Sequence, residues 1–197
     1  TVSLSPLPVG NARSVVDGSL SLGAQDLSVT NAVTINASGT LIFTGAETLT
    51  VSGNWTNDGT LTPASGTVVF DGGGPVQLLD SGGDSGGAGD PVGRFNNLTV
   101  TGGSTVELSS TPLFVDGTLT TGATDTMDMT SREFTVATLD NSGTLRLDGT
   151  QGTQSISSTS PAPPDAGTVE YYAGSSNGAV RLTVPVYHLI INAPSRT

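Results

Sequence analysis

Apolar and polar residues alternate in short bursts along this chain. Leu27-Ser-Val29, Val33-Thr-Ile35, Leu41-Ile-Phe43 and Leu49-Thr-Val51 open the series. Val68-Val-Phe70, Leu98-Thr-Val100, Val106-Glu-Leu108, Leu145-Arg-Leu147, Val169-Glu-Tyr171 and Leu189-Ile-Ile191 continue it. Residues i and i+2 of a strand share a face, so each triplet turns two apolar side chains inward and one, often polar, outward. No run of about ten residues holds a helical apolar period, so no helix is predicted.

The spacing of these strands points to their connection. Starts at residues 27, 33, 41 and 49 lie six to eight residues apart, at or below the short end of the roughly 8–12 residues of a hairpin meander. Short strands joined by tight bends suit a coil. Bend residues fall between them, as in Ala37-Ser-Gly39, Asn57-Asp-Gly59, Asp116-Gly117 and Asn141-Ser-Gly143, and such residues tolerate positive φ. Gly-Thr recurs at 39, 59, 66, 117, 143 and 167, a corner followed by a β-branched residue that restarts a strand. The expectation is one all-β domain, a right-handed parallel β-helix (β-solenoid), with a β-sandwich as the alternative. Residues 1–25, which include Pro6 and Pro8, read as an extended N-terminal segment. Residues 26–197 read as the solenoid, with a Gly/Asp-rich loop near 71–94.

A longer repeat overlies the short one. Asp26-Leu-Ser-Val-Thr30, Asn97-Leu-Thr-Val-Thr101 and His188-Leu-Ile-Ile-Asn192 match in pattern. Gly66-Thr-Val-Val-Phe70 precedes the second copy and Gly167-Thr-Val-Glu-Tyr171 the third. The copies are too far apart and too unequally spaced for single solenoid repeats, so each unit is expected to hold several turns with variable loops.

The string Gly53-Asn-Trp-Thr-Asn-Asp-Gly-Thr-Leu-Thr62, then Gly66-Thr-Val-Val-Phe-Asp-Gly72, Gln77 and Phe95-Asn-Asn-Leu-Thr-Val100, resembles the β-strand repeats of large secreted bacterial surface proteins. These are the haemagglutinin-like and autotransporter-like adhesins. The order returns as Leu139-Asp-Asn-Ser-Gly-Thr-Leu145, Gly167-Thr-Val-Glu-Tyr-Tyr172 and Tyr187-His-Leu-Ile-Ile191, so the resemblance covers roughly residues 26–192. It implies a right-handed parallel β-helix outside the cell. It carries over no catalytic residue.

Composition narrows the chemistry. Six Lys+Arg, all arginine, face 17 Asp+Glu, for a net charge of −11. Nucleic acid and anionic membrane both need a basic face, so neither is an expected partner. With no cysteine, disulfides, thiolate metal sites and thiol catalysis are excluded. The chain has one histidine, His188, so no site can rest on two imidazoles. No transmembrane run, signal peptide or lipidation motif is present, and a removed signal is compatible with a chain that begins at Thr1.

Several residues invite a sharper reading. Asp71, Asp80, Asp84 and Asp90 lie among glycines and could offer hard oxygen ligands to Ca²⁺, with Asp80, Asp84 and Asp90 the candidate ligands. Gly86-Gly-Ala-Gly-Asp90 resembles part of a calcium-binding GGxGxD repeat, but its Asp is one position early and it occurs once. A solvated loop is the plainer reading, and no cofactor is otherwise expected. Asp125, Asp128, Asp140 and Asp148 would be the carboxylates of a polysaccharide-cleaving β-helix. No adjacent Asp pair, Gly-His-Gly or Arg-Ile-Lys accompanies them, and no enzyme is expected.

Thr-x-Thr at 48/50, 60/62, 99/101 and 118/120 could form the ranks of an ice-binding face, yet the gaps between triplets are unequal, which predicts no common file. The sequons at Asn36, Asn54 and Asn97 are expected by chance in so Ser/Thr-rich a chain. His188 reads as a strand-edge or interface residue, and Trp55 as core rather than a sugar platform. The sequence therefore predicts a structural building block of a bacterial surface fibre, filament or adhesin stalk, secreted to the cell surface. Neither end offers an amphipathic capping helix, so either the chain is a piece of a longer repeat protein or its ends stack on copies of itself, and end-to-end or lateral self-association is the expected partnership. A carbohydrate-binding or cell-adhesion module, using Tyr171, Tyr172 and Tyr187 or the acidic loop, is the alternative.

Overall fold

The computed structural model describes residues 14–83, 93–150, 153–159, 167–172 and 184–192. Every element among them is a β-strand and every pairing is parallel. The first coil is β1 (Ser14–Val16), β2 (Ser19–Ser21) and β3 (Leu27–Val29). The second is β4 (Val33–Ile35), β5 (Thr40–Ile42) and β6 (Thr48–Val51), and the third is β7 (Trp55–Asn57), β8 (Thr60–Thr62) and β9 (Thr67–Phe70). The fourth is β10 (Gln77–Asp80), β11 (Arg94–Phe95) and β12 (Asn97–Val100).

From the fifth coil on, one long strand serves the second and third sides together. Those coils are β13 (Thr105–Leu108) with β14 (Leu113–Thr121), β15 (Thr126–Asp128) with β16 (Phe134–Asn141), and β17 (Thr144–Leu147) with β18 (Gln154–Thr159). β19 (Thr168–Tyr171) and β20 (His188–Ile191) extend the first face. The register of β14 on β16 shifts between Val115 and Thr118, which marks the remaining corner.

This is a three-sided parallel β-solenoid, not a sandwich. The first face stacks nine strands from β1 to β20, and the third runs from β3 to β18. The second begins as β2-β5-β8. β11 then pairs with the first part of β14. The short strand spacing in the sequence is therefore one side of the prism, and a full coil takes three sides. The coil length varies from 18 residues between the stacked pair Met127 and Leu145 to 30 between Val68 and Leu98.

Two boundaries differ from the sequence reading. β1 and β2 pair with β4 and β5, so the coil begins before residue 26. The Gly/Asp-rich stretch is not one loop, because Gln77–Asp80 forms a strand between β7 and β13. The long repeat also does not superpose on one face. Leu27–Val29 and Asn97–Val100 lie on the third face, whereas His188–Ile191 lies on the first. A short alternating motif is blind to which side of the prism it occupies.

Stacked inward files make the core. On the third face Val29, Val51, Phe70 and Val100 follow one another and are all fully buried. On the first face Val106, Met127, Leu145 and Val169 do the same. Trp55 lies between Val33 and Leu79, with its ring tilted against Phe95 at 5.5 Å. Each such side chain contributes about 1.5–3 kcal/mol by leaving water.

The recurrent Gly-Thr joint has a different cause from the one its bend chemistry suggested. Gly59 and Gly167 do not take positive φ. A Cβ on Gly59 would lie 2.2 Å from the carbonyl oxygen of Asn36, and one on Gly167 2.1 Å from that of Asn141. The glycine is there because the corner of one coil touches the backbone of the coil beneath. Side-chain acceptors tie neighbouring coils at the starts of strands. Asp26 Oδ1 accepts from Thr48 N (2.7 Å), Asn54 Oδ1 from Leu78 N (2.9 Å) and Asn97 Oδ1 from Thr118 N (3.0 Å).

Candidate functional site

The outward positions of the first face carry the densest charge. Glu107, Asp128, Arg146, Glu170 and Ile190 occupy one file, one residue per coil. Arg146 donates from Nη1 to Asp128 Oδ2 at 2.7 Å and from Nε to Glu170 Oε2 at 2.9 Å. Its guanidinium lies 4.3 Å from the centre of the Tyr172 ring, and the Tyr172 hydroxyl donates to Asp128 Oδ1 at 2.8 Å. Burial raises the Tyr172 pKa, and the hydrogen bond and charge of Asp128 push it further up. Burial would lower that of Arg146, but the Glu170 bond and the Asp128 charge outweigh it and raise it. These groups satisfy one another across three coils. The arrangement is a clamp that ties those coils together.

The other carboxylates proposed for catalysis are occupied separately. Asp125 is buried and accepts from Ser104 N at 2.6 Å, one coil below. Asp140 lies on the outward third face opposite Thr120. Asp148 accepts from Thr150 N and Oγ1 at 2.7 and 2.6 Å.

Of the calcium candidates, Asp80 ends β10, while Asp84 and Asp90 lie outside the described residues. The Asp80 carboxylate takes hydrogen bonds from the Ser110 hydroxyl, from Thr111 Oγ1 at 2.7 Å and from Gly82 N at 3.3 Å. Ser81 Oγ also donates to Pro112 O at 2.6 Å, so the corner is held by hydroxyl groups. Among the described residues no three His, Cys, Asp or Glu side chains gather where they could hold an ion.

Three further readings change on the folded chain. Tyr171 faces inward at 3% exposure and donates to Gln154 Oε1 at 2.8 Å, and Tyr172 belongs to the Arg146 clamp. Only Tyr187 remains an exposed aromatic of the three, at 62%, with His188 edge-on to it at 4.6 Å. The unequal spacing of Thr-x-Thr scatters only one of the four triplets, Thr60/Thr62 on the second face, because corner loops absorb the difference for the other three. Thr50, Thr99 and Thr120 share one outward file of the third face, with Val69 between the first two and Asp140 beyond the last. Asn54 and Asn97, read as sequons, spend their side-chain oxygens on the bonds between coils already described.

Glu47 is the group that sequence reasoning missed. It is buried, and its carboxylate accepts from Ala24 N (2.8 Å), Thr44 N (3.1 Å), Gly45 N (2.7 Å) and the Thr44 hydroxyl. Burial alone would raise its pKa. The Thr44 hydroxyl and the backbone donors outweigh that and hold it at about 2.

The end of the first face is the remaining feature. β20 pairs with β19 on one side and, among the described residues, with nothing on the other. Leu189 and Ile191 sit in the inward files above Val169 and Tyr171, yet they are 47% and 62% exposed. No family model matches the chain, and no curated protein or solved structure matches it either.

Proposed function

We propose that the chain is a structural module of a bacterial surface fibre or adhesin stalk, a stiff rod that holds distance and performs no catalytic step. The observation that carries this reading is the continuity of the inward files through successive coils. Each coil buries its apolar residues against its neighbours, so rigidity along the axis follows from the core itself. The outward files of the third face are largely neutral Thr and Ser, which suits a surface that solvates without strong binding. The extracellular assignment rests on the likeness of the strand repeats to secreted adhesins.

Two measurements test it. Placed between two labelled domains, the chain should hold them apart by a narrow distance distribution. Eight steps of about 4.8 Å along the first face add about 38 Å. A broad, coil-like distribution overturns the rod. Antibody labelling of intact cells of the source organism tests location, and labelling only after lysis overturns it. The exposed ring of Tyr187 favours glycan binding as the second reading. A glycan screen with wild type and Tyr187→Ala decides that case.

A further inference from the structure

We propose that the outer edge of β20, unpaired among the described residues, pairs parallel and in register with the β1 edge of a second copy of this chain, which joins copies head to tail. The proposal rests on the reading of the chain as a rod and names what the rod's end contacts. Leu189 and Ile191 continue inward files that are buried in the coil below, so the group that covers them must itself be a rung of a solenoid. The chain supplies such a rung at its other end. β1 stands on the same face as β20, runs in the same direction, and has no partner on its outer side among the described residues. Its residues 14 and 16 hold the register positions of the inward-facing Val33 and Ile35. The file of Ser14 and Val33 runs on through Trp55, Leu79, Leu108, Leu147 and Tyr171 to Ile191, so stacking that continues it sets Ser14 of the second copy on Ile191.

The backbone is also prepared for this. His188 N donates to Gly167 O at 3.4 Å and Asn192 N to Tyr171 O at 2.7 Å. Donor direction alternates along a strand, so the N–H groups of Leu189 and Ile191 point away from β19 toward the open side. Solenoid edges are commonly blocked by charge or proline. Neither Ser14-Val-Val16 nor His188-Leu-Ile-Ile191 contains an acidic residue, Lys, Arg or Pro, in a chain of net charge −11. At the outward position, where lower coils carry Glu107, Asp128, Arg146 and Glu170, β20 carries Ile190.

The test uses the whole 197-residue chain, as wild type, as Ile191→Pro and as Ile190→Lys. Ile191→Pro removes an outward donor and leaves the bonds to β19 intact, and Ile190→Lys charges the edge. Wild type should gain mass with concentration in multiples of 19.7 kDa and form single-file strings in electron micrographs. Both variants should keep the wild-type melting temperature within a few degrees and associate at least about tenfold more weakly. Monomeric wild type at every concentration overturns the proposal. So do side-by-side sheets, or variants that associate as wild type does. X-ray scattering from a monomeric sample tests the rod separately, so loss of stacking and loss of the rod are distinguishable results.

Discussion

Arg146 stands one coil above Asp128 and grips it at 2.7 Å, with 35% of the arginine side chain and 7% of the aspartate exposed. Asp128 is therefore the dependent partner, since it is the charge that water does not reach. Arg146→Met keeps most of the stem packing but leaves that carboxylate with only its Thr130 N and Tyr172 hydroxyl bonds. A loss of about 1.5–3 kcal/mol is expected in urea unfolding. Tyr172→Phe should cost about 1.5 kcal/mol, and the double variant should lose less than the sum of the two. Full additivity would show that the ring and the guanidinium do not act as one clamp.

Glu47 sets an acid limit for the first coils. Its folded pKa of about 2 lies below its unfolded value of about 4.5. A group depressed on folding stabilises above the unfolded pKa, and that contribution declines as pH falls through 4.5 toward 2. Hydrogen exchange at Ala24 and Gly45, whose N–H groups it accepts, should reveal local opening in this window. Glu47→Gln should flatten that pH dependence and lower stability at pH 7 by about 1–3 kcal/mol. An unchanged pH profile in the variant would assign the acid sensitivity to other groups.

Thr121 is buried in the third-face file above Val100, and its hydroxyl has no partner among the described residues. Val fills nearly the same space without a donor to desolvate. Thr121→Val should raise stability by about 1 kcal/mol, read as a higher denaturation midpoint at constant slope. A lower midpoint would mean that the hydroxyl is satisfied in solution.

The corner glycines predict the largest losses. Gly59→Ala puts a methyl 2.2 Å from the Asn36 carbonyl oxygen and 2.4 Å from that of Gly39. Backbone is in the way on both sides, so the cost should exceed about 3 kcal/mol and protease should cut near this corner first. Gly103→Ala is the control for simple φ strain. Nothing lies within 4 Å of its added Cβ, and its φ is +79°, so about 1 kcal/mol is expected.

The period-2 triplets made the strands and inward residues legible, because an alternating triplet means the same on any side of a coil. Leu49, Val51, Leu145 and Leu147 are buried as that rule requires. What escaped was the assignment of strands to sides. Coil length varies with the corner loops, so motifs seventy residues apart fall on one face while others cross to another. Buried acceptors such as Glu47 escaped for a related reason. Part of its hydrogen-bond shell comes from Ala24, 23 residues upstream, which no local window joins to it. Asp128 gave no sign of burial either, because a lone Asp in a Thr-rich stretch resembles a solvated turn until Arg146 closes over it.

In the longest coil Gly83 and Gly93 lie side by side at one corner. A Cβ on Gly93 would lie 2.3 Å from the Ser81 oxygen and 2.5 Å from that of Gly83. The two ends of the stretch between them thus meet at one point, and the ladder from β10 to β13 keeps register. Length added there does not propagate into the stack, and doubling such a loop costs only about 0.6 kcal/mol of closure entropy. A scaffold with that property can acquire new surface chemistry at a fixed height along its axis while its mechanics stay the same.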